Sequence, residues 1–157
     1  ASLNVLKRVN SISFLLVGEI RHQHINLLKK LNHTHAYALL GYMHHEDVLR
    51  LYSKSQAVLV PSICEEPLPY VVMESMVMGT IPIASRIGGI PEIVRGTYAE
   101  RMMFTPGDSE EMANRIEEIL SLSKVQLVDI GYKLREIVLR RFNCKIIKRQ
   151  LLKVFET

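Results

Sequence analysis

Tryptophan is missing from the 157 residues, and cysteine occurs only as Cys64 and Cys144. Two distant cysteines without metal-ligand spacing exclude a disulfide framework and a thiolate metal knuckle. They point to a reduced, cytoplasmic chain. No apolar run approaches the roughly 20 residues that a membrane-spanning helix requires, and no signal-peptide pattern is legible. Aromatic residues make up only 6%, with no arginine-rich run interleaved among them, so no nucleic-acid partner is expected. Internal repeats and low-complexity linkers are missing too, which leaves an ordinary globular domain.

What is present fits that reading. Hydrophobic residues make up 48% and charged residues 23% of the chain, enough for one domain with its own core. The net charge of +4 suits anionic ligands such as nucleotides or phosphates, or a peripheral membrane contact. The opening ASLNVLKRVN reads as the tail of an amphipathic helix, with Leu3, Leu6 and Val9 on one face. The expectation is that this chain is the later part of a longer protein.

Apolar runs alternate with helical patterns. Strands are expected over residues 11–18, 36–41, 57–62 and 80–85, and helices over 24–32, 46–55 and 70–79. The strands lack polar alternation, as parallel strands buried on both faces do. Their alternation with helices predicts an α/β fold with a doubly wound parallel sheet. RMMF (101–104) reads as a weaker edge strand. Asp108 and Glu111 form a capping-box pattern ahead of a helix, and two more helices are expected over 124–140 and 144–155.

The stretch EEPLPYVVMESMVMGTIPIAS places Glu66 and Glu74 on either side of a helix start. In open α/β sheets, ligands bind beyond the carboxyl ends of the strands. The strand AVLV stops at Pro61, so the following loop lies on that edge. The next helix begins near Pro69, and the free amides of Tyr70 and Val71 form an anion site suited to phosphate. Carboxylates would repel phosphate. They make sense if they reach past it to hydroxyls, as in a nucleotide sugar with its ribose, diphosphate and hexose. Without flanking motifs, a loop carboxylate and an exposed helix carboxylate would be the plainer reading.

The flanking motifs exist. PSICEEPLPYVVMESMVMGTIPIASRIGGIPEIV resembles the donor-binding segment of the retaining glycosyltransferases of family four, the large group one family. Its signature is a Glu, seven residues and a second Glu, then a glycine-closed helix, a strand and a Gly-Gly-x-Pro-Glu loop, here Gly88 to Glu92. LLVGEI, LLGYMHHEDVLRLYSKSQAVLVPS and PGDSEEMANRIEEIL fit the same family, so the resemblance covers most of the chain. It implies the C-terminal, Rossmann-like half of a GT-B architecture, lacking its first strand, with residues 1–157 as a single nucleotide-sugar-binding domain. It also implies that Glu66 meets the donor sugar as the catalytic-site carboxylate and that Glu74 binds the ribose hydroxyls. Backbone at Tyr70 and Val71 holds the phosphates, Gly41, Tyr42 and Met43 line the base, and Gly18 borders the cleft.

Two departures from the family stand out. Leu68 and Pro69 replace a common Phe-Gly, and proline removes one amide from the donor contacts. The family's Arg and Lys on the first strand, which neutralise the leaving diphosphate, would lie before Ala1. Arg21 and Arg86 sit near suitable loops without matching that motif.

Other features have plainer and sharper readings. GGIPEI is a turn or a shaping loop near the sugar, where Glu92 either caps locally or touches ligand. All six histidines fall between His22 and His45, in different loops and helix ends, and no metal site is expected from them. Met73, Met76, Met78, Met102, Met103 and Met112 read as core fillers, and Cys64 as an incidental thiol. The basic, amphipathic C-terminal stretch either packs inward or touches an anionic membrane. The resemblance implies that terminal helices of GT-B enzymes also cross to the partner domain, which would use the same apolar face.

The expected function is retaining transfer of a glycosyl group from a nucleotide diphosphate sugar to a hydroxyl acceptor, glycan or lipid-linked, without cofactor or metal. The partner is an N-terminal GT-B domain, and this portion alone is expected to be inactive. The alternative is a non-catalytic nucleotide-binding or interaction module on the same fold.

Overall fold

The computed structural model describes residues 12–19, 21, 25–26, 28 and 36–155. The amphipathic opening lies outside these residues, as does most of the helix expected over 24–32. The described chain runs β1 (Phe14–Val17), β2 (Tyr37–Gly41), α1 (His45–Lys54), β3 (Ala57–Val60), α2 (Tyr70–Val77) and β4 (Ile81–Ala84). It continues through α3 (Ile90–Val94), α4 (Tyr98–Arg101), α5 (Ser109–Leu120), α6 (Lys124–Arg141) and α7 (Cys144–Phe155). The strands pair in parallel, β1 with β2 and β3 with β4, the latter in unbroken register from Ala57↔Ile81 to Val60↔Ala84. This is an α/β fold of parallel strands flanked by helices, as the alternation of runs predicts. Among the described residues the two pairs are separate sheets.

Burial divides the strands. Every residue of β4 is buried, and with Val58 and Val60 of β3 it forms the centre of the core. Val72 and Met76 of α2 and Leu134 and Val138 of α6 close over it. The expectation of burial on both faces does not extend to β1 and β2. Leu15, Val17, Leu39 and Leu40 are exposed there, on a pair not hydrogen-bonded to β3 and β4.

The RMMF strand is corrected by the structure. Arg101 ends the helical turn α4, and only Phe104 pairs, through a single parallel bridge to Ser85. Met102, Met103 and Phe104 are nevertheless fully buried, so packing rather than a ladder explains their apolar character. GGIPEI is likewise not only a turn: Ile90–Val94 is a short helix with Ile90, Ile93 and Val94 buried.

Helix ends follow local chemistry. Gly79 adopts φ +77 after α2, its N–H bonds the Met76 carbonyl at 3.0 Å, and the Thr80 N–H bonds that of Ser75 at 2.8 Å. That is a Schellman closure, which glycine permits. Arg135 of α6 donates to the Val77 carbonyl at 2.7 Å and satisfies another of that end's acceptors. Asp108 caps α5 by accepting from the amides of Glu110 and Glu111. Glu111 does not return the bond as a capping box requires. Its carboxylate takes the Thr105 N–H at 2.7 Å, which holds its pKa below the usual glutamate value. The reciprocal box belongs to Ser123 and Gln126 at the start of α6.

Candidate functional site at the carboxyl edge of the strands

β3 ends at Val60, and the chain crosses the strand edge from Pro61 to Pro69 before α2 starts. Pro69 is buried at the N-cap with φ −70, so Tyr70 is the first helical residue, as the sequence predicts. A proline there sets the chain direction into the helix and withholds an amide. The amides of Tyr70 and Val71 fall in the first turn, where no carbonyl four residues back can take them. The Val72 N–H turns back to the Pro69 carbonyl at 3.2 Å. Leu68, Tyr70 and Val71 are all exposed around this helix start.

Glu66 is exposed in the loop before α2, but its backbone is pinned. The Gly89 N–H donates to the Glu66 carbonyl at 2.9 Å. A Cβ on Gly88, whose φ is +55, would stand 2.5 Å from the Glu66 carbonyl oxygen, and one on Gly89 would overlap the Pro67 carbonyl. Both glycines therefore admit a close backbone approach that no side chain permits. The loop that carries Glu66 is seated on the loop that follows β4. In sequence the Gly-Gly pair reads as a turn or shaping element. Its grip on this particular carboxylate loop appears only in three dimensions.

Glu74 lies one turn inside α2 with 27% of its side chain exposed, and His45 meets it: Nε2 stands 2.8 Å from Oε1. His45 is the first residue of α1, immediately after the loop that leaves β2. An ionised carboxylate only accepts, so Nε2 carries the proton in this contact. Glu74 also acts on Tyr52, whose phenol pKa is raised first by burial and then by the Glu74 charge. The sequence offers His45 only a metal-ligand reading. Its pairing with a helix 29 positions away left no local signal.

The remaining predicted residues gather at the ends of β1 and β2. The Gly18 N–H bonds the Gly41 carbonyl at 2.8 Å, and both glycines have positive φ, 113 and 68. Tyr42, Met43, His44 and Asp47 line an open groove of about 460 Å³ beside them, with Tyr42 85% exposed. Asp47 is held from outside by Arg50 at 2.9 Å. Arg21 is paired with Glu19 at 3.1 Å, and Arg86 is exposed just past β4. His45 thus links the groove-side loop to Glu74, while Glu66 is anchored separately to Gly88 and Gly89.

Known proteins resemble this chain in sequence and in fold. The sequence model of the family described as "Glycosyl transferases group 1" matches residues 2–135. An uncharacterized glycosyltransferase of Methanocaldococcus jannaschii is 27% identical over 104 residues, which are 66% of this chain and 26% of that protein. The chain therefore spans about a quarter of that relative's length. Among solved structures, sucrose-phosphate synthase from Thermosynechococcus elongatus superposes with a TM-score of 0.82 at 26% identity, covering 99% of this chain and 40% of that one. HepE of Anabaena in complex with UDP superposes with a TM-score of 0.80 at 22% identity, covering 98% and 43%.

Proposed function

The chain belongs to the group 1 glycosyl transferases, and from that premise we propose that it is the donor-binding portion of a retaining glycosyltransferase. It holds a nucleotide diphosphate sugar while the anomeric C–O bond to the diphosphate breaks and a bond to an acceptor hydroxyl oxygen forms, with configuration kept. The acceptor proton passes to the departing diphosphate, which leaves with the remaining negative charge. The HepE structures with UDP and with UDP-glucose support a nucleotide-sugar ligand for this fold.

One observation carries the reading: α2 starts at Tyr70 just beyond the carboxyl end of β3, with Glu74 one turn inside it. The Tyr70 and Val71 amides and the helix N-terminus suit the diphosphate. Glu74 reaches the ribose hydroxyls, and Glu66, pinned by Gly88 and Gly89, reaches the hydroxyls of the donor sugar. The groove beside Tyr42 and Met43, with Gly41 and Gly18 at its edge, takes the base. The reading includes no resident metal, a cytoplasmic setting, and a second Rossmann-like domain to bring the acceptor.

The test is calorimetric titration of the chain with UDP, GDP and ADP, each with and without an attached sugar. One nucleotide binds selectively, and Glu74→Ala weakens it about tenfold or more, since a carboxylate bond to a hydroxyl contributes about 1.5–3 kcal/mol. Unchanged affinity in a folded Glu74→Ala protein sinks the ribose assignment. Failure of the chain to bind any of the three sinks the donor reading.

A further inference from the structure

We propose that His45 is a positioning residue for Glu74. It holds the carboxylate in one rotamer so that the free oxygen meets the ribose, and it couples the base-side loop to the ribose site. This rests on the donor reading above.

Glu74 would otherwise be a long side chain with several rotamers on a partly exposed helix face. Ordering such a chain only when ligand arrives weakens binding. His45 removes that freedom in advance by donating Nε2–H to Oε1 at 2.8 Å. Oε2 and the remaining lone pair of Oε1 stay available, enough for a vicinal diol. The Glu74 charge is also felt at the Tyr52 phenol of the same helix α1, and the Tyr52 backbone carbonyl accepts from the Thr80 hydroxyl, which ties α1 to the segment before β4.

Local structure supplies no reason for histidine at position 45. The first turn of α1 already has Glu46 and Asp47 to suit the helix dipole, and histidine is a middling helix former. At 66% exposed, the imidazole buries little surface, so a contact of this kind contributes little to stability. What the position does offer is geometry. His45 follows Tyr42, Met43 and His44 of the groove directly, so a base settling there sets the loop that aims Glu74.

The experiment measures affinity for UDP, GDP and ADP, and for the 2′-deoxy form of the tightest binder, in wild type, His45→Ala, His45→Gln, Glu74→Ala and the double variant. His45→Ala is expected to weaken ribonucleotide binding about tenfold, the low end of what losing an orienting outer partner does to a metal ligand. It should leave Tm nearly unchanged and shrink the preference for ribose over 2′-deoxyribose. His45→Gln, which keeps an N–H donor, recovers part of the loss. In the Glu74→Ala background, removing His45 has no further effect. Equal affinities in wild type and His45→Ala overturn the inference while leaving the donor reading standing. So does tighter binding by His45→Ala, which would make His45 a competitor of ribose, and so does an additive double variant. Absence of binding by wild type overturns the donor reading and this inference with it.

Discussion

Glu66 and Glu74, the two carboxylates around the start of α2, are held in different ways. Glu66 is fixed through its backbone by Gly88 and Gly89, and Glu74 through its side chain by His45. The first arrangement predicts that Gly89→Ala disrupts the Glu66 loop, because the new Cβ meets the Pro67 carbonyl, a backbone atom that cannot rotate away. The expected cost is about 1–3 kcal/mol of stability, as for other overpacked sites. Affinity for the sugar-bearing nucleotide should fall more than affinity for the bare diphosphate, and titrating the variant with both checks this. An equal fall in both would mean that the glycines hold the fold rather than the Glu66 loop. The Glu66–Glu74 spacing and the Gly-Gly pair are legible in sequence because they are local. Which glycine presses on which carbonyl, and which histidine holds which glutamate, depends on contacts between distant segments.

Among the elements, α5 offers the sharpest prediction. Asp108 satisfies two amides of its first turn, and Asp108→Ala should remove about 1 kcal/mol, read as a lower Tm. Glu111 adds a pH dependence. Its pKa is lowered chiefly by the Thr105 N–H and further by Arg115, so the ionised form is favoured in the folded protein. Its contribution is therefore present above the ordinary glutamate range and is lost as pH falls through the depressed folded value. Wild type and Glu111→Gln should converge in Tm toward acid and separate toward neutral pH, a pattern that thermal melts between those limits would show. A constant gap across pH would reject it. The helices and strands with strong patterns were legible along the chain. α3 and α4, of five and four residues, were not, since neither is long enough to display a helical period. RMMF reads as a strand in sequence because an apolar run looks alike whether a ladder or a packed loop buries it.

The molecule as a whole is held by α2 and α6 crossing over β3 and β4. At that crossing Gly131 of α6 lies against Gly79 at the end of α2, close enough that a Cβ on Gly131 would overlap the Gly79 carbonyl. Gly131→Ala should push α6 off the face where Leu134 and Val138 are buried, at about 1–3 kcal/mol. A lowered urea midpoint would register this, and nucleotide affinity should fall with it, because α2 carries both the helix start and Glu74. An unchanged midpoint would show that α6 can shift without loss.

Periodicity, punctuation and motif order along the chain determined the α/β class, the parallel strands, the helix start near Pro69 and the family resemblance, since each arises from neighbours in sequence. The pairing of β1 with β2 and β3 with β4, the clamp of Gly88 and Gly89 on Glu66, and the bond from His45 to Glu74 were decided only when the chain closed on itself. Each depends on a second segment arriving within hydrogen-bond or van der Waals range, and no local pattern encodes which segment that will be.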